Sequence, residues 1–119
     1  MTRPLAFDRN ALRHRLSGDD DLMTDVIGVF LDDLPVRLAA IEDAVTRRDA
    51  TALRSVAHTL KGAAGNLSAE ELCSAAGVLE RIGADSQIDV ADAAWQQLSV
   101  EARHVHDELR RDSASGKEV

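Results

Sequence analysis

The chain has 119 residues, 45% of them hydrophobic but only 3% aromatic, with seven glycines, two prolines and a formal net charge of −7. Its length suits one domain, which can bury about two thirds of the surface its unfolded chain exposes without disulfide or metal staples, and its composition suits helices packed by Leu, Val, Ile and Ala rather than a β-sandwich. The excess of 21 Asp and Glu over 14 Lys and Arg excludes nucleic acid as an expected partner, because backbone-phosphate binding needs a basic footprint.

Phe7 to Leu16 forms the first expected helix, with Asp8 as its N-cap, Ser17-Gly18 as its stop, and Leu12 and Leu16 offered to a core. From Asp19 to about Arg47, Met23, Ile27, Phe30, Leu31, Leu34, Leu38, Ile41 and Val45 recur at the i, i+3, i+4, i+7 spacing of a long amphipathic helix. Pro35 should kink or break it, since proline has no N–H to donate and its ring crowds the preceding turn. Asp49 is placed to cap a third helix ending near Asn66. Ser68-Ala69-Glu70-Glu71 has the form of a capping box opening a fourth helix through Leu72, Ala76, Leu79 and Ile82, with Gly83 as its end. A last helix, Asp89 to about Arg111, carries Ala91, Ala94, Trp95, Leu98, Ala102, Val105 and Leu109 inward.

The remaining DSASGKEV, residues 112–119, lacks apolar periodicity and is expected to be a disordered tail. Four long helices joined by short connections imply antiparallel neighbours. The expected fold is therefore all-α: one domain over residues 1–111, an antiparallel up-down four-helix bundle with a short extra N-terminal helix laid across one end. Because one such core closes within one chain, a monomer is expected.

The third helix carries the most informative segment, Ala57-His58-Thr59-Leu60-Lys61-Gly62-Ala63-Ala64-Gly65-Asn66-Leu67. At about 100° per residue, Arg54, Lys61, Gly62 and Gly65 fall within roughly 60° of His58, while Leu53, Val56, Leu60, Ala63 and Leu67 cluster on the opposite side. Glycine in a helix interior costs about 1 kcal/mol relative to alanine. Two glycines on the polar side therefore ask for a reason, and clearance for another molecule beside the imidazole supplies one.

The run His58, Lys61, Gly62, Ala63, Ala64, Gly65 resembles the signature of histidine-containing phosphotransfer (HPt) domains, helical modules that carry a phosphoryl group between aspartates of response-regulator receiver domains. A glycine often stands in that family where this chain has Ser68. The resemblance implies that His58 accepts the phosphoryl group and that Lys61 offsets its charge. It also implies that Gln or Glu about 22 residues after the histidine, here Glu80, holds the imidazole with its outer nitrogen free.

The second helix has more apolar residues than its core face needs: measured from Ile27, Leu22, Val26, Val29 and Val36 point roughly 100° to 180° away. The first helix can cover part of this surplus, and the remainder would be an exposed apolar patch of the kind that marks interaction sites. In HPt domains such a patch beside the histidine docks the first helix of the receiver. Arg54, Gly62, Gly65, Leu22, Val26 and Val29 are thus the expected partner-binding residues.

Two other readings share parts of this pattern. One is a non-catalytic helical adaptor that binds a receiver domain, which the presence of His58 disfavours. The other is the phosphoacceptor domain of a chemotaxis-type kinase, which has the same His, Lys, Gly and Glu arrangement. No Gly-rich ATP-binding segment occurs in these residues, so autonomous kinase activity is not expected.

The single Cys73 cannot form an internal disulfide, and MTRPLAFDRN has no apolar region of the kind a signal peptide requires. No apolar run approaches the roughly 20 residues that span a bilayer. The expected location is the cytoplasm, without membrane insertion. His104 and His106 stand about 200° apart on a helix, His14 is isolated, and the paired Glu-x-x-His motifs of a di-iron bundle are lacking, so neither a metal nor another cofactor is expected.

Overall fold

Three aspartates start the first three helices by the same device. Asp8, Asp19 and Asp49 each sit in extended backbone and accept, through the side chain, from the N–H of Ala11, Leu22 and Ala52 respectively, satisfying donors that have no partner within the helix. The structure is a computed structural model that describes residues 6–117. Its helices are α1 (Arg9–Arg15), α2 (Asp20–Thr46), α3 (Ala50–Asn66), α4 (Glu70–Ala84) and α5 (Ala91–Lys117), with a single 3-10 turn at Ile88–Val90. The fold is all-helical among the described residues. No helix among them is long and apolar enough to cross a membrane.

Helix α2 packs against α3 and α5, and α4 packs against the same two helices, so each long helix has two long neighbours and one shared core. Leu12, Ile27, Leu34, Ile41, Leu53, Leu60, Leu67, Leu72, Leu79, Leu98, Val105 and Leu109 are fully buried there. Each large apolar side chain removed from water contributes roughly 1.5–3 kcal/mol. The inward stripe expected of α5 is present, with Ala94 and Trp95 only partly buried. Leu31 and Leu38 of α2 are likewise partly covered.

Pro35 does not break α2, which runs unbroken from Asp20 to Thr46. The ring lies on the exposed side, and buried Leu34 and Ile41 hold the two halves to the core. Phe7 belongs to the segment before α1 and is buried; it does not form the helix's first turn. The backbone N–H groups of Ala6 and Phe7 donate to the Glu108 carboxylate of α5, at 2.7 and 2.8 Å for Ala6 and 3.4 Å for Phe7. Asp8 N–H donates to the Ser68 carbonyl at 3.0 Å, which places α1 beside the α3–α4 connection.

Helix α5 starts at Ala91, after the 3-10 turn, and continues past Arg111 to Lys117, into the segment expected to be a disordered tail. No proline interrupts it, and Asp112 is tied to Arg9 at 2.6 Å. Residues 118–119 lie outside the described residues.

The capping box at Ser68 does not form. Helix α4 starts after Ala69, without a side-chain cap, because Ser68 closes α3 instead, with φ +65°. Its N–H donates to Gly65 and that of Ala69 to Ala64, the paired bonds of a left-handed helix stop. Ser17, Arg48 and Ser86 end α1, α2 and α4 in the same way, with φ of 56°, 55° and 55°. Ser68 is the costliest of the four in one respect: it is buried, and its hydroxyl has no partner. A left-handed non-glycine residue costs about 1–2 kcal/mol, and an unsatisfied buried hydroxyl about 1–3 kcal/mol. Ser68→Gly removes both and gives back part through the freedom glycine gains in the unfolded chain. The net expectation is about 1 kcal/mol of added stability, read as a higher urea midpoint at unchanged slope. A midpoint equal to or below the parent's would contradict this account of the turn.

Candidate functional site

Leu53, Ala57, Leu60 and Ala64 turn one face of α3 into the core, and this leaves Arg54, His58 and Gly62 exposed on the other. Helix α4 runs antiparallel beside that face. Its Gly83 lies against the backbone of Ala50 and Arg54, Gly77 against the stem of Lys61, and Cys73 against Gly65. Glu80 falls between the first two of these contacts, level with His58 and Lys61.

The Glu80 carboxylate bridges both. Its Oε2 lies 2.6 Å from His58 Nδ1 and its Oε1 accepts from Lys61 Nζ at 2.5 Å. An ionised carboxylate can only accept, so Nδ1 carries a proton, and in the neutral ring that tautomer leaves the lone pair on Nε2. The His58 side chain is 68% exposed while Glu80 is 20% exposed, so the inner nitrogen is anchored and the outer one faces solvent. The Lys61 ammonium first, and the His58 ring second, hold the Glu80 carboxyl below its ordinary 4.5. Because this value is depressed in the folded chain, the bridge contributes stability above 4.5, which is lost as the pH falls through the lower folded value.

The expected partner-binding residues are distributed over two surfaces. A β-carbon built on Gly62 meets nothing within 4 Å, whereas one on Gly65 stands 3.6 Å from Cys73 Sγ. Gly65 therefore faces α4, and the open clearance on the stripe lies at Gly62. Arg54 shares a groove of about 600 Å³ with Lys61, Glu80 and Arg81. Val26 and Val29 line a separate hollow of about 140 Å³ between α2 and α3, with Asp33, Arg37, Ala63 and Asn66. Val29 is 60% exposed and Leu22 43%, but Leu22 does not border that hollow. Val26 is partly buried against the core.

Gly77 and Gly83 were not singled out by the sequence reading as parts of this site. The signal was available, since both are glycines inside an amphipathic helix, on the side of α4 that carries Glu80. The Lys61 stem packs against Gly77, where a β-carbon would stand in ordinary contact with it at 3.5 Å. Gly83 is an interior contact of α4, which ends one residue later, and does not serve as the helix stop. Among the described residues, no three His, Cys, Asp or Glu side chains come together where they could hold a metal ion.

The family model described as Hpt domain matches residues 25–112, from the first part of α2 through most of α5, with His58, Lys61 and Glu80 inside the match. The chain belongs to the Hpt domain family. As an Hpt domain it is a histidine phosphotransfer module of a phosphorelay. Its fold is similar to that in the crystal structure of histidine-containing phosphotransfer protein B (HptB) from Pseudomonas aeruginosa PAO1, with a TM-score of 0.87 and 24% identity over 96% of this chain and 98% of that one. At that identity the likeness speaks for the Hpt fold alone. No curated protein sequence matches the chain.

Proposed function

We propose that His58 is the phosphoryl acceptor of this Hpt domain, taking the group from an aspartyl phosphate of one response-regulator receiver domain and passing it to another. The observation that carries this reading is the fixed tautomer: Glu80 holds Nδ1–H at 2.6 Å and leaves Nε2 exposed. The Nε2 lone pair attacks phosphorus, the N–P bond forms, and the P–O bond to the receiver's carboxylate breaks, with its electron pair leaving on the carboxylate. The ring keeps its Nδ1 proton and becomes an imidazolium facing Glu80. Lys61 lies one turn beyond His58, where its ammonium can meet the phosphoryl oxygens. The reverse sequence returns the group to a second receiver, so the domain is a carrier without autonomous kinase activity.

The apolar surface of α2, from Leu22 through Val26 and Val29, is the docking patch in this reading, with Gly62 beside the imidazole and Arg54 reaching the receiver from the separate groove toward α4. The four long helices form the antiparallel up-down bundle, α1 is the extra N-terminal helix, and the domain works as a cytoplasmic monomer. Incubation with a panel of phosphorylated receiver domains, followed by identification of the labelled residue, tests the proposal. Label on a residue other than His58 would reject it.

Gly62 gives the docking geometry a direct check. Glutamine has the better helix propensity by a few tenths of a kcal/mol or more, and open space receives its β-carbon. Gly62→Gln should hold or raise stability while slowing transfer by about tenfold or more, the scale on which misplacement of reacting groups is felt. Stopped-flow transfer at the parent rate would show that a receiver needs no clearance there.

A further inference from the structure

We propose that Arg54 and Arg81 form a cationic bracket that takes up the negative charge of the phosphoryl group while it resides on His58, an inference that rests on the acceptor reading above. The charges at the site do not balance without them. At rest, Lys61 is already paired with Glu80 at 2.5 Å. A phosphoryl group brings about −1.5 to −2 charges. The imidazolium formed by transfer offsets one of these, and the Lys61–Glu80 pair offsets none in sum. About one negative charge is left at the exposed edge of α3.

Two further cations border that edge. Arg54 lies one turn before His58, as Lys61 lies one turn after it, and Arg81 follows Glu80 on α4. Arg54, Lys61, Glu80 and Arg81 line one groove. Both arginines are exposed, and neither has an ion pair or side-chain hydrogen bond among the described residues. Arg9, Arg13, Arg37, Arg47 and Arg48 each pair with an aspartate, and of the arginines that do not, Arg54 and Arg81 are the two that share the groove with Lys61 and Glu80. In a chain of net charge −7, uncompensated arginines beside the nucleophile are placed against the prevailing sign. A guanidinium is always charged and offers parallel donors matched to phosphoryl oxygens, so either arginine can engage the group without giving up an existing partner.

The test uses phosphoramidate, a small donor that phosphorylates histidine without a partner protein. The parent, the double variant Arg54→Gln with Arg81→Gln, and the double variant Arg54→Lys with Arg81→Lys are phosphorylated and followed by ³¹P NMR. The glutamine pair should take up the group about tenfold more slowly, as expected for lost charge stabilisation at an exposed site. Its phosphohistidine resonance should move, the lysine pair should retain most of the rate, and thermal midpoints should agree. A parent-like rate and resonance in the glutamine pair would overturn the bracket and leave the acceptor reading intact. Failure of the parent itself to form phosphohistidine at position 58 would overturn both. A defect seen only with a receiver as donor would assign the arginines to the receiver's acidic surface and overturn the bracket.

Discussion

Replacement of His58 by glutamine is expected to abolish phosphoryl acceptance from a receiver domain, by more than about a thousandfold, because the amide offers no nucleophile in place of the ring nitrogen. Stability should change by no more than about 0.5 kcal/mol. The imidazole is 68% exposed, and Glu80 keeps its bond to Lys61 when the ring is gone. The measurement is transfer of ³²P from a preloaded receiver, with urea unfolding alongside. The outcome separates the two readings that share this fold: an adaptor that merely binds the receiver would compete for it equally well with either residue at position 58. Persistent label after the substitution, mapped to His14, His104 or His106, would move the acceptor elsewhere.

Much of this architecture was legible because single residues announce it. Apolar spacing from Met23 to Val45, and again from Ala91 to Leu109, marks the inward faces of α2 and α5, and the capping aspartates Asp8 and Asp49 mark where α1 and α3 begin. The pairing of His58 with Glu80 was legible only through the family resemblance, since helical periodicity says nothing about which turn of α4 lies beside which turn of α3. What sequence reasoning misjudged came from local signals with two physical meanings. Ser68 reads as an N-cap because serine favours that position, yet it serves as a left-handed helix stop. Gly83 reads as a stop because glycine often ends helices, yet it is a close contact within one. Helix α5 outruns its apolar spacing, because a helix does not end where its apolar residues do, and the Arg9–Asp112 pair joins residues too far apart in sequence to be anticipated.

Gly83→Ala is expected to be strongly destabilising although it replaces glycine with a better helix former. The added β-carbon would stand 2.6 Å from the Arg54 backbone nitrogen and 2.7 Å from the Ala50 carbonyl oxygen. Both are main-chain atoms of α3, so no side chain can swing aside and the two helices must separate. Alanine's helix propensity favours the variant by about 1 kcal/mol, whereas overpacking of this kind costs about 1–3 kcal/mol and occasionally more. Because the clash is with main-chain atoms the cost belongs at the upper end of that range, and a net loss of about 2 kcal/mol is expected, seen as a lower urea midpoint. The consequence for function follows from position. Glu80 lies one turn before Gly83 on α4, and His58 one turn after Arg54 on α3, so the glycine contact sets the spacing across which Glu80 reaches Nδ1. Separation of the helices should loosen that bond and release the imidazole into a mixture of tautomers, visible in ¹⁵N spectra of the ring, with transfer slowed even where the variant is fully folded. An alanine variant as stable as the parent, with its tautomer unchanged, would show that the close approach of α3 and α4 does not hold Glu80 against His58.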